Sequence, residues 1–293
     1  MNDNIEIIEN GIVVKNVDSF ELKHVFDCGQ CFRWNKQIDS NYIGIAYNKV
    51  IELSKKDDDL FIYNIDEKEF IDLWSDYFDL KRDYSKIKEK LSSEDEILKK
   101  AIPFGCGIRI LNQDPLETII SFIISANNRI PMIKRCIENI SRRFGETIEY
   151  RGKIYYAFPS IYKLKDAKEE DFKDLGAGFR AKYIKDTVSK IYNKEFDIDE
   201  AKKMEDEECH IKLQELSGVG AKVSDCIMLF SMKKYSAFPV DVWVKRAMNV
   251  FYNAPENMSL NKIRKFAQER FGNNSGIAQQ YLFYYARENK IKL

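Results

Sequence analysis

Two apolar segments of the chain are joined by Leu216-Ser217-Gly218-Val219-Gly220-Ala221-Lys222-Val223-Ser224-Asp225-Cys226. Apolar residues recur at helical spacing on both sides of the two glycines, which predicts helices over about 206–216 and 221–233. Glycine accepts positive φ and lets another backbone approach closely, so Gly218 and Gly220 predict a tight hairpin between these helices. The chain after residue 105 is therefore expected to be organised around a pair of helices joined by a short turn.

The start of the second helix is suited to binding an anion. Its first backbone N–H groups have no partner within the helix, and the helix dipole favours negative charge there. A hairpin of this kind holds a DNA backbone through phosphate without reading the base sequence. We therefore expect Gly218 and Gly220 to contact DNA, although Gly-x-Gly turns also join helices that bind nothing.

Lys222 and Asp241 add chemistry to this hairpin. Lys222 lies in the first turn of the second helix, where the positive helix end favours a neutral, nucleophilic amine. Cys226 follows one turn later on the same face. Asp241 comes nineteen positions after Lys222, within Pro-Val-Asp-Val-Trp, and has the chemistry of an N-cap for a helix over 242–252. A single lysine is usually solvated and a capping aspartate is usually structural, but the two at this spacing indicate a catalytic pair.

Several motifs carry a resemblance to a known family. A hairpin, a lysine opening its second helix and a capping aspartate resemble the helix-hairpin-helix DNA glycosylases, whose bifunctional branch carries this lysine. Residues 26–34, Phe-Asp-Cys-Gly-Gln-Cys-Phe-Arg-Trp, are similar to the Gly-Gln-x-Phe-Arg-Trp signature of 8-oxoguanine DNA glycosylases. Residues 107–115, 125–128, 178–181 and 278–283 resemble the same family. The resemblance covers nearly the whole chain and implies excision of 8-oxoguanine from duplex DNA in base-excision repair.

The resemblance also implies residue roles. Lys222 would be the Schiff-base nucleophile and Asp241 would stabilise the oxocarbenium-like sugar. The flipped base would be held by four residues, namely the Gly29 carbonyl, Cys226 and Phe283 on its two faces, and Gln279 at its pairing edge. Three of them have a plainer alternative: Gly29 as an ordinary turn glycine, Phe283 as core and Gln279 as surface.

Contacts to the opposite strand and to the phosphates follow from the same resemblance. Asn127 and Arg180 match residues that grip the estranged cytosine in eukaryotic relatives, and Phe179 replaces a wedging tyrosine. Met132 stands where a second arginine is expected, and methionine donates no hydrogen bonds, so we expect relaxed opposite-base specificity. Trp243 replaces a histidine near the lesion phosphate. No cofactor is required, although the backbone carbonyls of Gln214, Leu216 and Val219 are candidates to hold a cation at the hairpin.

The charge of the chain fits a DNA-binding enzyme when residues 1–100 and the remaining residues are counted separately. The 293 residues carry 47 Lys+Arg and 47 Asp+Glu. Residues 1–100 contain 15 basic against 22 acidic residues, a net of −7, which leaves 32 against 25, a net of +7, for the remainder. The basic portion contains the hairpin. We expect a monomer that binds double-stranded DNA containing 8-oxoguanine.

The sequence also indicates where in the cell the protein acts and whether its cysteines bind metal or form disulfides. No apolar run is long enough for a membrane span and the N-terminus lacks a basic start, so we expect a cytoplasmic, nucleoid-associated and prokaryotic protein with reduced cysteines. Cys28 and Cys31 do not predict zinc, since the chain has no second Cys-x-x-Cys and no histidine pair. No cysteine follows Cys226. A C-terminal iron–sulfur cluster of the kind found in endonuclease III-like enzymes is therefore not expected.

The periodicity predicts an α+β fold: an N-terminal antiparallel β-sheet domain over residues 1–105 with flanking helices, followed by a mostly helical helix-hairpin-helix domain over 106–293. Strands are expected at 5–17, 31–34, 42–47, 50–53 and 60–65, with a helix at 20–26 and helical pattern from 68 to about 102. The remainder is expected to be helical, and the helices are 115–126, 130–144, 169–175, 180–193, 206–216, 221–233, 242–252, 259–271 and 276–289.

Two alternatives remain open from the sequence. The nearest is a related glycosylase for another damaged base, such as an enzyme that removes alkylated bases with an aspartate alone; Lys222 argues against it. The other is a non-catalytic DNA-binding protein that uses the hairpin only to hold the backbone. Such a protein would bind DNA in a salt-sensitive manner and release no base.

Overall fold

A computed structural model of the chain describes residues 4–289. Its N-terminal part contains a six-stranded antiparallel sheet with the spatial order β1-β2-β6-β5-β4-β3. The strands are β1 (Ile5–Ile8), β2 (Gly11–Val14), β3 (Trp34–Lys36), β4 (Tyr42–Ala46), β5 (Lys49–Lys56) and β6 (Asp59–Tyr63). The predicted order of an antiparallel sheet followed by a helical part is confirmed.

Both faces of the sheet are covered. One face packs on a core that includes Trp34, Leu53 and Ile62. On the other face Ile43, Ile45 and Val50 pack against a second hairpin, formed by β7 (Thr147–Tyr150) and β8 (Lys153–Tyr156). The Tyr150 hydroxyl donates to the Glu52 carboxylate over 3.0 Å and fixes the hairpin on the sheet.

No strand was predicted for the segment that forms β7 and β8, which lies between the helices expected at 130–144 and 169–175. The turn residues Arg151 and Gly152 both have positive φ (49° and 68°), as in the two-residue turns that join antiparallel strands. Isoleucine and tyrosine flank this turn, and they are strand-forming residues. Arginine before glycine is a weak turn signal, which explains why the hairpin was missed.

Of the helices before the hairpin turn, those at Leu22–Phe26 and Ser75–Tyr77 pack in the sheet core, and those from Tyr84 onward build a second core. The helices before the turn are α1 (Leu22–Phe26), α2 (Glu67–Glu69), α3 (Ser75–Tyr77), α4 (Tyr84–Glu94), α5 (Glu96–Ala101), α6 (Pro115–Ser125), α7 (Ile130–Phe144), α8 (Ile161–Leu164), α9 (Glu169–Phe172), α10 (Ala181–Tyr192), α11 (Ile198–Lys203) and α12 (Asp206–Leu213).

Four helices follow the turn: α13 (Ala221–Ser231), α14 (Val242–Tyr252), α15 (Leu260–Phe271) and α16 (Ser275–Glu288). The buried apolar faces of α6, α13 and α16 meet in the helical core. No helix within residues 4–289 combines the length and the apolar character that a membrane crossing requires.

Three details of the predicted elements were wrong. The strand expected at 31–34 begins only at Trp34, because Cys31 and Phe32 turn inward to different cores. The stretch 5–17 is a hairpin of two strands rather than one strand. The short helices α8 and α11 were not expected, and with four and six residues they are too short to show a helical apolar period.

The two cores meet along the chain segment that carries Gly29. Gln30 is fully buried. Its side chain donates to the carbonyls of Val25 and Arg109, both over 2.8 Å, and accepts the Leu111 N–H over 2.9 Å. The side chain of Gln113 donates to the Gln30 carbonyl over 2.7 Å. These bonds fix the segment around Gly29 between the sheet and the helices, and a domain division at residue 105 stays a prediction.

Candidate active site

The hairpin joins α12 to α13 through a turn that contains two glycines. Only Gly218 has a backbone conformation that favours glycine. Gly218 has φ of 82°, and a methyl group there would lie 2.9 Å from a ring carbon of Tyr183. Gly220 has an extended backbone (φ −95°) and is exposed, with open space where a side chain would begin. No side chain caps α13. Its first N–H groups thus keep the capacity to bind an anion that approaches at Gly220.

A small cavity lies beside the start of α13. Its lining includes six residues that the sequence analysis selected for catalysis and base binding: Gly29, Lys222, Cys226, Asp241, Gln279 and Phe283. They come from four separate segments of the chain. The cavity measures about 50 Å³, which is room for a few water molecules and not for a purine.

Lys222 and Cys226 are residues of α13 that line this cavity. The Lys222 ammonium lies 5.2 Å from the centre of the Phe122 ring, a cation–π distance. Burial raises the pKa of the Cys226 thiol to about 11, and the charge of Lys222 opposes the rise. Cys226 is therefore a neutral, polarisable wall of the cavity rather than a thiolate.

Asp241 faces Lys222 from the start of α14. Its carboxylate accepts the Val244 N–H over 2.8 Å and so caps the helix, as the sequence predicts. Burial raises the pKa of Asp241, whereas the hydrogen bond from Val244 and the charge of Lys222 lower it. The acid and the amine are thus within electrostatic reach of each other at one cavity.

Gly29 and Phe283 close the opposite wall. Gly29 has φ of 84°, a conformation that favours glycine, and a methyl group there would lie 3.4 Å from the Phe283 ring. The guanidinium of Arg287 lies 5.2 Å from the centre of the same ring and donates to the Asp27 carbonyl over 2.7 Å. Arg287 therefore connects Phe283 to the segment that carries Gly29.

Gln279 is buried and already bonded. Its amide nitrogen donates to the Pro239 carbonyl over 3.2 Å, and its amide oxygen accepts from Gln280 over 2.8 Å. A glutamine amide has two N–H donors and two lone pairs, so one of each is left for a ligand in the cavity. The plain alternative of a surface glutamine does not apply, since its exposed fraction is 3%.

Arg180 and Asn127 contact each other away from the cavity. Arg180 supports the loop between α6 and α7, which contains Asn127. Arg180 is buried and donates to the carbonyls of Ala126, Asn127 and Ala177, with 2.8 Å to Asn127. Asn127 is exposed with φ of 50°. Phe179 is 55% exposed, and its ring lies 4.3 Å from the Arg180 guanidinium carbon.

Met132 and Trp243 lie on the first turns of α7 and α14. Met132 is 47% exposed. Trp243 is half-buried, and the guanidinium of Arg246 lies 5.0 Å from the centre of its ring. At the hairpin, the Leu216 carbonyl accepts the Val219 N–H over 3.1 Å and Gln214 is exposed. No group of three or more His, Cys, Asp or Glu side chains within residues 4–289 is arranged to hold a metal.

Comparisons with known proteins show which family the chain resembles. A family model described as the N-terminal domain of 8-oxoguanine DNA glycosylase matches residues 12–119. A second model, the HhH-GPD superfamily of base excision DNA repair proteins, matches residues 120–273. A probable N-glycosylase/DNA lyase of Methanothermobacter thermautotrophicus is 35% identical over 73% of this chain and 74% of its own length.

The chain belongs to the 8-oxoguanine DNA glycosylase/lyase family. Members of this family are base-excision repair enzymes that act on DNA as glycosylase and lyase. The 8-oxoguanine glycosylase/lyase of Clostridium acetobutylicum is 60% identical, and its structure with double-stranded DNA containing cytosine opposite 8-oxoguanine covers 98% of both chains at a TM-score of 0.96. The apo-form of that enzyme covers 96% of this chain and 98% of its own at a TM-score of 0.93.

The family fold places residues in the cavity that the sequence analysis did not select. Phe122, Phe230 and Pro239 line it beside the expected six residues, and Arg287 stacks on Phe283. Arg287 follows Phe283 by four positions on a predicted helix, so its position beside that ring was available from spacing alone. The apolar residues carried no such signal, because buried phenylalanines at helical spacing usually belong to a core.

Proposed function

We propose that this glycosylase/lyase excises 8-oxoguanine from duplex DNA with Lys222 as nucleophile and Asp241 as the stabilising acid. The observation that carries the proposal is that both side chains line one cavity together with Gly29, Cys226, Gln279 and Phe283. A base within a duplex cannot present its glycosidic bond to protein groups, so the damaged nucleotide is flipped out before reaction.

The chemistry follows from the two charged groups. As the bond between base and sugar breaks, its electron pair leaves with the base and positive charge develops on the sugar. The Asp241 carboxylate stabilises that charge. The Lys222 amine, once deprotonated, attacks the anomeric carbon, and ring opening gives a Schiff base. Loss of a neighbouring sugar proton then eliminates the 3′ phosphate and nicks the strand.

The base-binding wall has to open before a purine enters. The cavity of about 50 Å³ is too small for the base, and the Phe283 ring occupies the space beside Gly29. Displacement of Phe283 would create a slot with the Cys226 sulfur on one side and the aromatic face on the other. The free donor and acceptor of Gln279 would bind the pairing edge.

Discrimination against guanine rests on one hydrogen bond. The oxidised purine has a ring N–H where guanine has a lone pair, so a fixed carbonyl accepts from the lesion and repels the normal base. We assign this acceptor to the carbonyl of Gly29. The hydrogen bonds of Gln30 make the segment rigid, and rigidity is what a discrimination of this kind needs.

We propose that Asn127, Phe179, Arg180 and Met132 face the strand opposite the lesion. Asn127 and Phe179 are exposed, so both side chains are free to contact the estranged base. Arg180 holds the Asn127 loop through its carbonyls, so its contribution is to position Asn127 as much as to contact DNA. Met132 offers no donor to cytosine, and relaxed opposite-base specificity follows.

The hairpin and Trp243 are assigned to the backbone of the lesion strand. Gly218 and Gly220 let a phosphate approach the uncapped start of α13. The fit of a cation to the carbonyls of Gln214, Leu216 and Val219 is chemically reasonable, because main-chain oxygens suit hard cations and the Leu216 carbonyl keeps one lone pair. We further propose that the protein acts as a monomer on nucleoid DNA in a prokaryotic cytoplasm.

The test uses duplexes with a single 8-oxoguanine, scored separately for released base and for strand nicking. Borohydride is expected to trap wild-type protein on this DNA, and Lys222→Gln is expected to abolish trapping and nicking while the variant still binds the duplex. Equal trapping by Lys222→Gln would remove Lys222 from its role. Salt-sensitive binding without base release by the wild type would instead support a non-catalytic DNA-binding protein.

A further inference from the structure

A second cavity lies apart from the active-site cavity, between strands β3 and β4 of the large sheet, helix α7 and strand β8. It measures about 370 Å³, and none of its lining residues is shared with the active-site cavity. Pockets that bind small molecules have volumes of this order, from about 300 Å³ upward. None of the residues assigned above to excision or to DNA contact lines this cavity, so its chemistry is considered by itself.

The cavity has an excess of positive charge. Three cationic side chains line it, Arg33, Lys134 and Arg135, against a single carboxylate, that of Glu138. The Glu138 carboxylate lies 3.5 Å from Arg142, outside the cavity, and 3.9 Å from Arg33. Lys134 donates only to neutral oxygens, the Trp34 carbonyl over 2.8 Å and the Asn35 side chain over 3.3 Å. The charge of Arg33 is partly balanced by Glu138 and by the buried Glu117, with which it also interacts. The uncompensated positive charge of the cavity is therefore that of Lys134 and Arg135.

Arg33 adds a buried donor that has no acceptor. Its exposed fraction is 6%, and one of its terminal nitrogens donates to the Tyr156 carbonyl. The other terminal nitrogen, Nη1, is buried and has no hydrogen-bond partner within the described residues. A buried guanidinium donor without a hydrogen-bond partner is unfavourable in the folded protein. Because Nη1 has almost no accessible surface, an anion in the cavity would interact with Arg33 through the charge of the guanidinium rather than through this atom.

The remaining walls suit a ring rather than a bare ion. Phe32, Ile43, Ile45 and Tyr155 provide apolar and aromatic surface. Asn35 and Gln37 provide amide groups at the rim, and the Gln37 amide nitrogen donates to the Asn35 carbonyl over 2.9 Å, which leaves its amide oxygen to accept. Inorganic phosphate would engage the cations and leave the apolar wall and the amides unused.

We infer that this cavity binds a nucleoside monophosphate. The phosphate contacts Arg33, Lys134 and Arg135, the base packs against Phe32 and Tyr155, and the amides of Asn35 and Gln37 bond to its edge. The inference does not depend on the proposed excision chemistry. It gives the protein a second nucleotide site, at the contact of the large sheet with α7.

The test is titration calorimetry with AMP as the probe, with inorganic phosphate and adenosine titrated in parallel. Arg135→Gln removes one phosphate contact at an exposed position, where folding is not at risk. Arg143→Gln is the matched control, since Arg143 is exposed on the same helix and lies outside the cavity lining. We expect one AMP per chain, about tenfold weaker binding or more in Arg135→Gln, no change in Arg143→Gln, and tighter binding in Glu138→Gln.

Five results would overturn the inference, and the first four concern AMP binding to the wild type and the arginine variants. The four are the absence of saturable AMP binding at millimolar concentration, equal weakening in the two arginine variants, phosphate binding as tight as AMP, and competition by plain duplex DNA that Arg135→Gln removes. The last would assign the cavity to the DNA backbone instead. Loss of AMP binding in Lys222→Gln would place AMP in the active-site cavity and would equally refute a second site.

Discussion

The Arg180 guanidinium donates to the Asn127 carbonyl over 2.8 Å. The same guanidinium donates to the Ala126 carbonyl, so one buried cation holds two consecutive peptide units of the loop between α6 and α7. Asn127 has positive φ (50°), a conformation that asparagine tolerates better than most residues. The loop is thus shaped before DNA arrives, and its order depends on a residue more than fifty positions away.

Arg180→Ala is expected to weaken binding of the lesion duplex more than it lowers the single-turnover excision rate. The variant leaves buried carbonyls without a partner, at about 1–3 kcal/mol, and frees the Asn127 loop. Binding and single-turnover kinetics on one duplex separate the two effects. Arg142→Ala, which removes an exposed arginine with one helical ion pair, is the control and is expected to change neither. A lowered rate with unchanged affinity would contradict the positioning role.

Met132→Arg is expected to increase preference for cytosine opposite the lesion. An arginine fork bonded to a base discriminates by about 1–3 kcal/mol, which is roughly five- to 150-fold in relative rate. Excision opposite each of the four bases measures it. Ile130→Arg, at an exposed position on the same turn of α7, adds the same charge as a control. A wild-type enzyme that already strongly prefers cytosine, and keeps that preference in Arg180→Ala, would refute this account.

Asp241→Asn is expected to separate stability from activity. Burial raises the pKa of Asp241, so the ionised form is unfavourable in the folded protein, and this penalty appears as pH rises from the ordinary value of 3.8 through the raised one. Asparagine caps a helix as well as aspartate does. At neutral pH we expect equal or higher thermal stability than wild type, with excision lowered about a hundredfold or more.

The pH dependence of the wild type checks the same group. Excision requires the ionised carboxylate, so activity is lost as pH falls through the raised pKa, at a higher pH than an ordinary aspartate would give. Single-turnover rates from acid to neutral pH, with melting temperatures for both proteins, test the two parts. Two results would be inconsistent with a buried carboxylate of raised pKa. One is a loss of activity with an apparent pKa at or below 3.8, and the other is a lower stability of Asp241→Asn than of wild type at neutral pH.

The hairpin and the positions of Lys222 and Asp241 at the starts of two helices were predictable from the sequence because each depends on local chemistry. Gly218 needs positive φ, Asp241 caps the helix that follows it, and Lys222 and Cys226 are one turn apart on one helix. The sheet and most helices were predicted by periodicity for the same reason. Only the family motifs predicted that Gly29 and Phe283 line one cavity, since they are more than 250 positions apart and no local rule brings them together.

Other features could not be predicted from neighbouring residues in the sequence. The family resemblance predicted that Arg180 contacts DNA, but no local signal indicated that it donates to the carbonyls of Ala126 and Asn127. The hairpin of β7 and β8 lies within a mostly helical region and is stabilised by Ile43 and Ile45 of the large sheet. The cationic cavity beside α7 joins Arg33 to Arg135 across one hundred positions. In each case the partner is distant in sequence, and only the fold supplies it.

Gly29→Ala is expected to impair excision far more than it destabilises the protein. Alanine at φ of 84° is strained by about 1 kcal/mol, and its methyl group would lie 3.4 Å from the Phe283 ring, at the place where the base has to slide past the carbonyl. Gly152→Ala is the matched control, since Gly152 also has positive φ (68°) but has open space around it. Both variants should lose similar stability by denaturant unfolding. Only Gly29→Ala should lose excision of 8-oxoguanine under single-turnover conditions, and equal activity in the two variants would remove Gly29 from the base-binding wall.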